Sequence, residues 1–172
     1  MAVDTQHEAP ALPERPSEER GESERDRLGA YGVLTGGYAA ALAAFLLARH
    51  RKLPEGISTK DLALIGVATH KTSRAIGKDK VTAPLRAPFT EHEGQAGPGE
   101  LEESPRGSGL RHVIGELLVC PYCLDQWVAT GYAVGLVTAP RTTRFVAGIM
   151  ATVAISDFLQ IAYKVSESQL GD

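Results

Sequence analysis

A chain of 172 residues has the length of a single domain. Its 18 Lys and Arg stand against 21 acidic residues, a net charge of −3 with no basic surplus, which argues against a nucleic-acid partner. The mean hydropathy of −0.11 averages charge-free apolar runs with polar, Gly- and Pro-rich stretches, and two cysteines three positions apart cannot staple a secreted fold together.

Residues 1–27 contain 8 of the acidic residues, 4 of the basic ones and three prolines. With almost nothing apolar to bury, this segment reads as a disordered acidic tail. Leu28 to Ala48 follows, 21 residues without one charge. As a helix it reaches roughly 30 Å, the thickness of a hydrocarbon core. A signal peptide would place a short basic region ahead of a shorter apolar core. Here the basic cluster Arg49-His50-Arg51-Lys52 comes afterwards, which fits a retained anchor.

Residues 59–77 predict a helix, with Thr59 as N-cap and Gly77 as its stop. Its apolar part, Leu62 to Thr69, is too short to cross a bilayer, and His70, Lys71 and Arg74 interrupt it. It reads as an amphipathic helix lying at the interface or docked on the spans. Pro84 and Pro88 fix extended backbone around Arg86. Residues 90–108 read as a flexible acidic linker with a solvated His92.

Two further apolar runs, about 117–139 and 143–163, are separated by the tight turn Thr138-Ala-Pro-Arg-Thr-Thr143 and predict a helical hairpin. Each contains one acid, Asp125 and Asp157. The expected fold is therefore an all-α integral membrane protein: three transmembrane helices (an N-terminal span at 28–48 and the hairpin) plus the amphipathic helix. The membrane domain covers 28–164, and 165–172 is a C-terminal tail. Because 49–111 holds 11 of the 18 Lys and Arg, basic-residue bias puts segment 49–116 and the C-terminus in the cytoplasm, with the N-terminus and the hairpin turn outside. Small residues at Gly32, Gly36, Ala40 and Ala44, and at Gly131 and Gly135, allow close helix approach, within the chain or to a homodimer or membrane partner.

Cys120-Pro121-Tyr122-Cys123 is the sharpest local signal. A cysteine at a helix N-terminus has a lowered thiol pKa, and Pro suits the first turn. The string resembles the active-site motif of glutaredoxins in those four residues alone. Redox chemistry, a metal site and a structural role stay open. Cys120 and Cys123 are the candidate metal ligands, with His70 or His112 as a third and zinc as the candidate ion. His112 and Cys123 lie roughly 16 Å apart along a continuous helix, too far to share one ion.

Asp125 and Asp157 lie at similar distances from the hairpin turn and hence at similar depth. An ionised carboxylate in hydrocarbon is costly and needs a partner. These two acids, with Glu116 and the basic Arg74, Lys78, Arg86 and Arg111, form a candidate polar pocket. The same basic segment, 74–86, is alternatively a grip for anionic lipid or a phosphorylated ligand.

Two blocks carry a family likeness: Arg74-Ala-Ile-Gly-Lys78-Asp79-Lys-Val-Thr82-Ala-Pro84-Leu-Arg86-Ala-Pro88-Phe89, and Gly109-Leu-Arg111-His-Val-Ile-Gly115-Glu116-Leu-Leu-Val-Cys120-Pro121-Tyr-Cys123-Leu-Asp-Gln-Trp127. They resemble the bacterial membrane family catalogued as domain of unknown function 1360, some members of which carry a sporulation label. The resemblance covers about residues 30–163 and implies a membrane protein with its polar blocks on one side; it implies no reaction. The expected role is a non-catalytic structural or accessory component of the bacterial cytoplasmic membrane, with the bilayer as its first partner and no cofactor. The alternatives are a thiol-redox or metal-dependent protein using Cys120 and Cys123, and the lipid or phosphate binder.

Overall fold

The computed structural model describes the backbone of residues 17–170 and the side chains of 24–169. Helix α1, Ser17–Arg49, opens the described chain. The expected disordered tail is therefore corrected over 17–27, which is helical; residues 1–16 lie outside the described part. After Pro16 the stretch is rich in Glu and Arg, good helix formers, and it extends a helix that the apolar run already nucleates.

A short 3-10 turn, His50–Lys52, and an extended passage lead to α2, Thr59–Gly77. The helix lies where its sequence signals put it, but the cap is Ser58. Its hydroxyl accepts from the Asp61 N–H at 3.1 Å, satisfying one of the first-turn donors. α2 ends against the next part of the chain: a Cβ on Gly77 would lie 3.0 Å from the Leu118 carbonyl oxygen.

A polar cap follows. Another 3-10 turn, Lys80–Thr82, runs into the single-turn α3, Ala83–Arg86. Strands β1, Thr90–Gly97, and β2, Glu100–Pro105, then pair antiparallel. This β-hairpin replaces the flexible linker expected over 90–108. Its two-residue turn is Pro98-Gly99, with Gly99 at φ 79°, which suits proline followed by glycine. Its turn end is stitched to the end of α2 by the Leu101 N–H to the Lys78 carbonyl and the Lys80 N–H to the Gly99 carbonyl, at 2.8 and 2.9 Å.

Helix α4, Gly109–Val119, packs under the hairpin. Gly115 faces it so closely that a Cβ would stand 2.5 Å from the Phe89 carbonyl oxygen. The chain then breaks at Cys120 (φ −108°, ψ 96°), and α5 runs Pro121–Thr138. The expected single span over 117–139 is thus two elements: extended backbone at Cys120, ahead of Pro121 at the first helical position, ends one helix and starts another. Ala139 alone separates α5 from α6, Pro140–Leu170. Among the described residues two helices are long and apolar enough to cross a membrane, at Glu24–Lys52 and Pro140–Gln169.

α2 stands between α5 and α6, around a small core of Ile65, Ala68, Tyr132 and Ala147. It runs parallel to α6: Asp61 meets Arg144 near the start of both, and Lys71 meets Asp157 further along both. It runs antiparallel to α5, whose first residue Pro121 adjoins Gly77 while Tyr132 bonds Thr72 at 2.8 Å. Ala68, Ala147, Ala151 and Ala154 are all buried, and such small side chains let helix backbones approach. α1 follows the direction of α5, with Arg27 at Glu116 and Tyr38 between Gln126 and Thr130.

Candidate functional site: a charged cleft beneath the cap

Cys120 and Cys123 are joined in a disulfide. Cys120 also caps α5, its sulfur accepting from the Cys123 N–H at 3.2 Å. With both sulfurs bonded to each other, the two do not offer the thiolates a zinc site requires. Neither histidine joins them: His112 sits 3.5 Å from Glu116 on α4, and His70 stacks on Phe158 of α6 with ring centroids 6.0 Å apart. Among the described residues no three His, Cys, Asp or Glu side chains are grouped to hold a metal ion. The bend at Cys120 also ends the continuous helix on which His112 and Cys123 were measured, with His112 on α4 and Cys123 on α5.

The expected polar pocket is divided. Asp125 and Asp157 both face α2, from opposite sides, because α2 stands between α5 and α6. Asp125 accepts a hydrogen bond from Ser73 Oγ. Asp157 pairs with Lys71 at 3.1 Å, and the same ammonium reaches Asp79 at 3.2 Å. Glu116 lies elsewhere, accepting from Arg27 at 2.5 Å and from the Tyr31 hydroxyl. Arg111 donates to the Pro88 carbonyl.

The basic segment does pair internally, though with the hairpin and not with Asp125, Asp157 or Glu116. Arg74 grips Glu100 through Nε and Nη2, at 3.0 and 2.6–2.7 Å. Lys78 reaches both oxygens of Glu102 at 3.1 Å. Arg86 is buried: its Nε donates to Glu103 at 2.5 Å, and its Nη1 to the carbonyls of Ile76 and Asp79. Glu100 and Glu102 alternate with Leu101 and Glu103 along β2, so the two faces of the strand receive different partners. No local pattern in the sequence pairs Glu100, Glu102 and Glu103 with these cations, or marks Lys71 as the partner of Asp79 and Asp157.

Where the last turns of α2, the later part of α6 and the Pro98-Gly99 turn meet, they enclose a cleft of 580 Å³. Lys71, Arg74, Asp79, Glu100 and Asp157 line it as closed ion pairs. Lys80 and Lys164 line it as well, and among the described residues neither has a carboxylate within 4.0 Å. Phe158 and Ile161 supply apolar wall.

Comparison with known proteins reaches this same region. A family model described as "Protein of unknown function (DUF1360)" matches residues 64–163, which takes in the cap, α5, most of α6 and the cleft residues other than Lys164. Over 102 residues the sequence is 26% identical to "Sporulation protein YjcA" of Bacillus subtilis (strain 168), a match covering 58% of this chain and 86% of that protein. No solved structure matches.

Proposed function

The chain belongs to the DUF1360 family, and on that premise we propose that it is a four-span accessory protein of the bacterial cytoplasmic membrane, holding its cap on the extracytoplasmic face. α1, α2, α5 and α6 are the spans, running alternately away from the cap and back to it. α2 counts among them because it keeps company with α6 from Asp61–Arg144 to Lys71–Asp157. Those thirteen residues of α6 cover roughly 20 Å. On this reading the segment 49–116 is not one cytoplasmic region, since α2 carries the chain across partway along it.

The observation that carries the orientation is the separation of the disulfide from the basic loops. Cys120–Cys123 lies at the cap end, and disulfides persist on the oxidising side of a membrane. The other end consists of two short connections, 49–61 and 139–144, with six Lys and Arg against Glu55 and Asp61. Cap segment 78–120 has five Lys and Arg against seven acids over a longer stretch. Short basic loops stay in the cytoplasm. The N-terminus, the cap and the C-terminus then lie outside, and the hairpin turn inside.

An accessory role fits what the charged residues do. Arg74, Lys78 and Arg86 are engaged by Glu100, Glu102 and Glu103, so the polar blocks build a rigid cap in place of a reactive centre. The Bacillus subtilis relative is by name a sporulation protein, which directs the reading toward a part in sporulation.

Labelling with a membrane-impermeant maleimide tests the arrangement, in a Cys120→Ser/Cys123→Ser background. Gln95→Cys in the hairpin is expected to react in intact cells, and Glu55→Cys only after permeabilisation. The reverse pattern inverts the orientation. Equal labelling of both without permeabilisation removes α2 as a span.

A further inference from the structure

We propose that the cleft between α2, α6 and the hairpin turn seats the phosphate-bearing headgroup of one anionic phospholipid, held by Lys80 and Lys164. The inference rests on the reading of α2 and α6 as membrane-crossing helices; Lys80 falls within the basic segment 74–86 and Lys164 outside it, and neither is one of Arg74, Lys78 and Arg86, which the hairpin already engages.

Charge accounting comes first. The acids of the cleft are Asp79, Glu100 and Asp157, and Lys71 and Arg74 already bind all three. Lys80 and Lys164 face the same space without such a partner among the described residues, so four cations stand against three carboxylates. The cleft therefore carries a local positive excess in a chain whose net charge is −3. Two lysine ammonium groups, each a strongly hydrated point charge with three donors, suit the oxygens of a phosphodiester.

Depth and wall chemistry choose the lipid. Lys164 directly follows Tyr163, at the end of the apolar run that begins at Phe145. Its ammonium falls at headgroup level, where long basic side chains reach outward from a span. Asp157 and Lys71 lie about two turns deeper, roughly 10 Å, so the cleft leads from the interface toward the hydrocarbon. Along that path Phe158 and Ile161 are exposed on α6, each 60% accessible, beside Val81 at the cap edge. A soluble phosphate ester has no use for such a wall. A diacyl lipid lays its chains along it while its phosphate meets the lysines. Basic pockets between spans bind anionic headgroups by this division of labour, and 580 Å³ accommodates one headgroup with its glycerol.

The test is native mass spectrometry of the full chain, delipidated in non-ionic detergent and titrated with phosphatidylglycerol, phosphatidylcholine or glycerol 1-phosphate. One phosphatidylglycerol is expected to be retained per chain, and Lys80→Gln/Lys164→Gln is expected to weaken its retention about tenfold. Both lysines lack an ion-pair partner among the described residues, so the variant keeps its fold. Arg51→Gln/Arg141→Gln, at the opposite end, is expected to bind as the parent does. Equal retention of phosphatidylcholine, or an unchanged double-lysine variant, overturns the proposal. Binding of glycerol 1-phosphate without lipid overturns the lipid as source. Detergent solution has no sides, so an inverted orientation leaves this result standing, whereas a chain recovered without detergent extraction removes the membrane reading itself.

Discussion

Arg86 and Glu103 form an ion pair sealed from water, with 1% and 6% of their side chains exposed and 2.5 Å between Nη2 and Oε2. Arg86 sits at the end of α3 and Glu103 in β2, so the pair locks the hairpin onto the segment leaving α2. Removing one partner of such a pair strands the other charge out of water, at a cost of about 3–5 kcal/mol. Arg86→Ala is expected to unfold the cap well before the helices, read as early loss of hydrogen-exchange protection at Leu101 and Arg106. Arg86→Met/Glu103→Leu is expected to recover part of the loss. Recovery stays incomplete because the Ile76 and Asp79 carbonyls lose their donor.

Lys71 bridges two carboxylates on different elements, Asp79 after α2 and Asp157 on α6. Replacing Asp157 with Asn leaves the Lys71 ammonium its bond to Asp79 at 3.2 Å and removes a charge instead of stranding one, so the expected cost is small. Lys71→Met leaves both carboxylates without their cation and is expected to cost clearly more. The comparison is made by thermal unfolding in detergent. If Asp157→Asn proves the more damaging variant, the acid has a role beyond pairing with Lys71.

Much of this was legible in the sequence, and the failures are instructive. α2 was readable because Thr59 and Gly77 bracket an apolar run, although the cap itself is Ser58, and α1 and α6 because their apolar lengths match a bilayer. The hairpin was not readable. Pro98-Gly99 is a turn signal, yet the flanking strands are mostly Glu, His, Gln and Gly, without the β-branched residues that announce a strand. What holds them lies far off in sequence, on Arg74, Lys78 and Arg86. The break at Cys120 was half legible: Pro121 suits a helix start, but hydropathy runs straight across it. The acids Asp125 and Asp157 stood out against apolar neighbours. Their partners Ser73 and Lys71 did not, because no local pattern reveals which helix will stand between α5 and α6.

Gly115 is the closest approach in the cap, facing the Phe89 carbonyl and Pro105, whereas Gly32 and Gly36 of α1 have nothing within 4 Å of where a Cβ would lie. Gly115→Ala is expected to destabilise by about 1–3 kcal/mol, since backbone atoms have to move to admit the methyl group. Gly32→Ala and Gly36→Ala are expected to leave thermal stability in detergent unchanged or slightly raised. A loss at Gly32 comparable with that at Gly115 reveals a second surface packed on α1, such as another copy of the chain.

The disulfide closes a very short loop, and its contribution to stability is correspondingly limited. Chain-entropy reasoning for a loop of this size gives about 2 kcal/mol, and the capping contact from Cys120 to the Cys123 N–H is one a serine oxygen also makes. Cys120→Ser/Cys123→Ser is therefore expected to insert and fold, with a modestly lowered unfolding temperature that reductant no longer affects. The parent protein is expected to lose the same few degrees on reduction. A collapse of the double-serine variant to aggregates makes the bond necessary for the bend between α4 and α5. Equal stability with and without the bond leaves the pair free to open and close, and turns attention to thiol exchange at Cys123, the more exposed of the two.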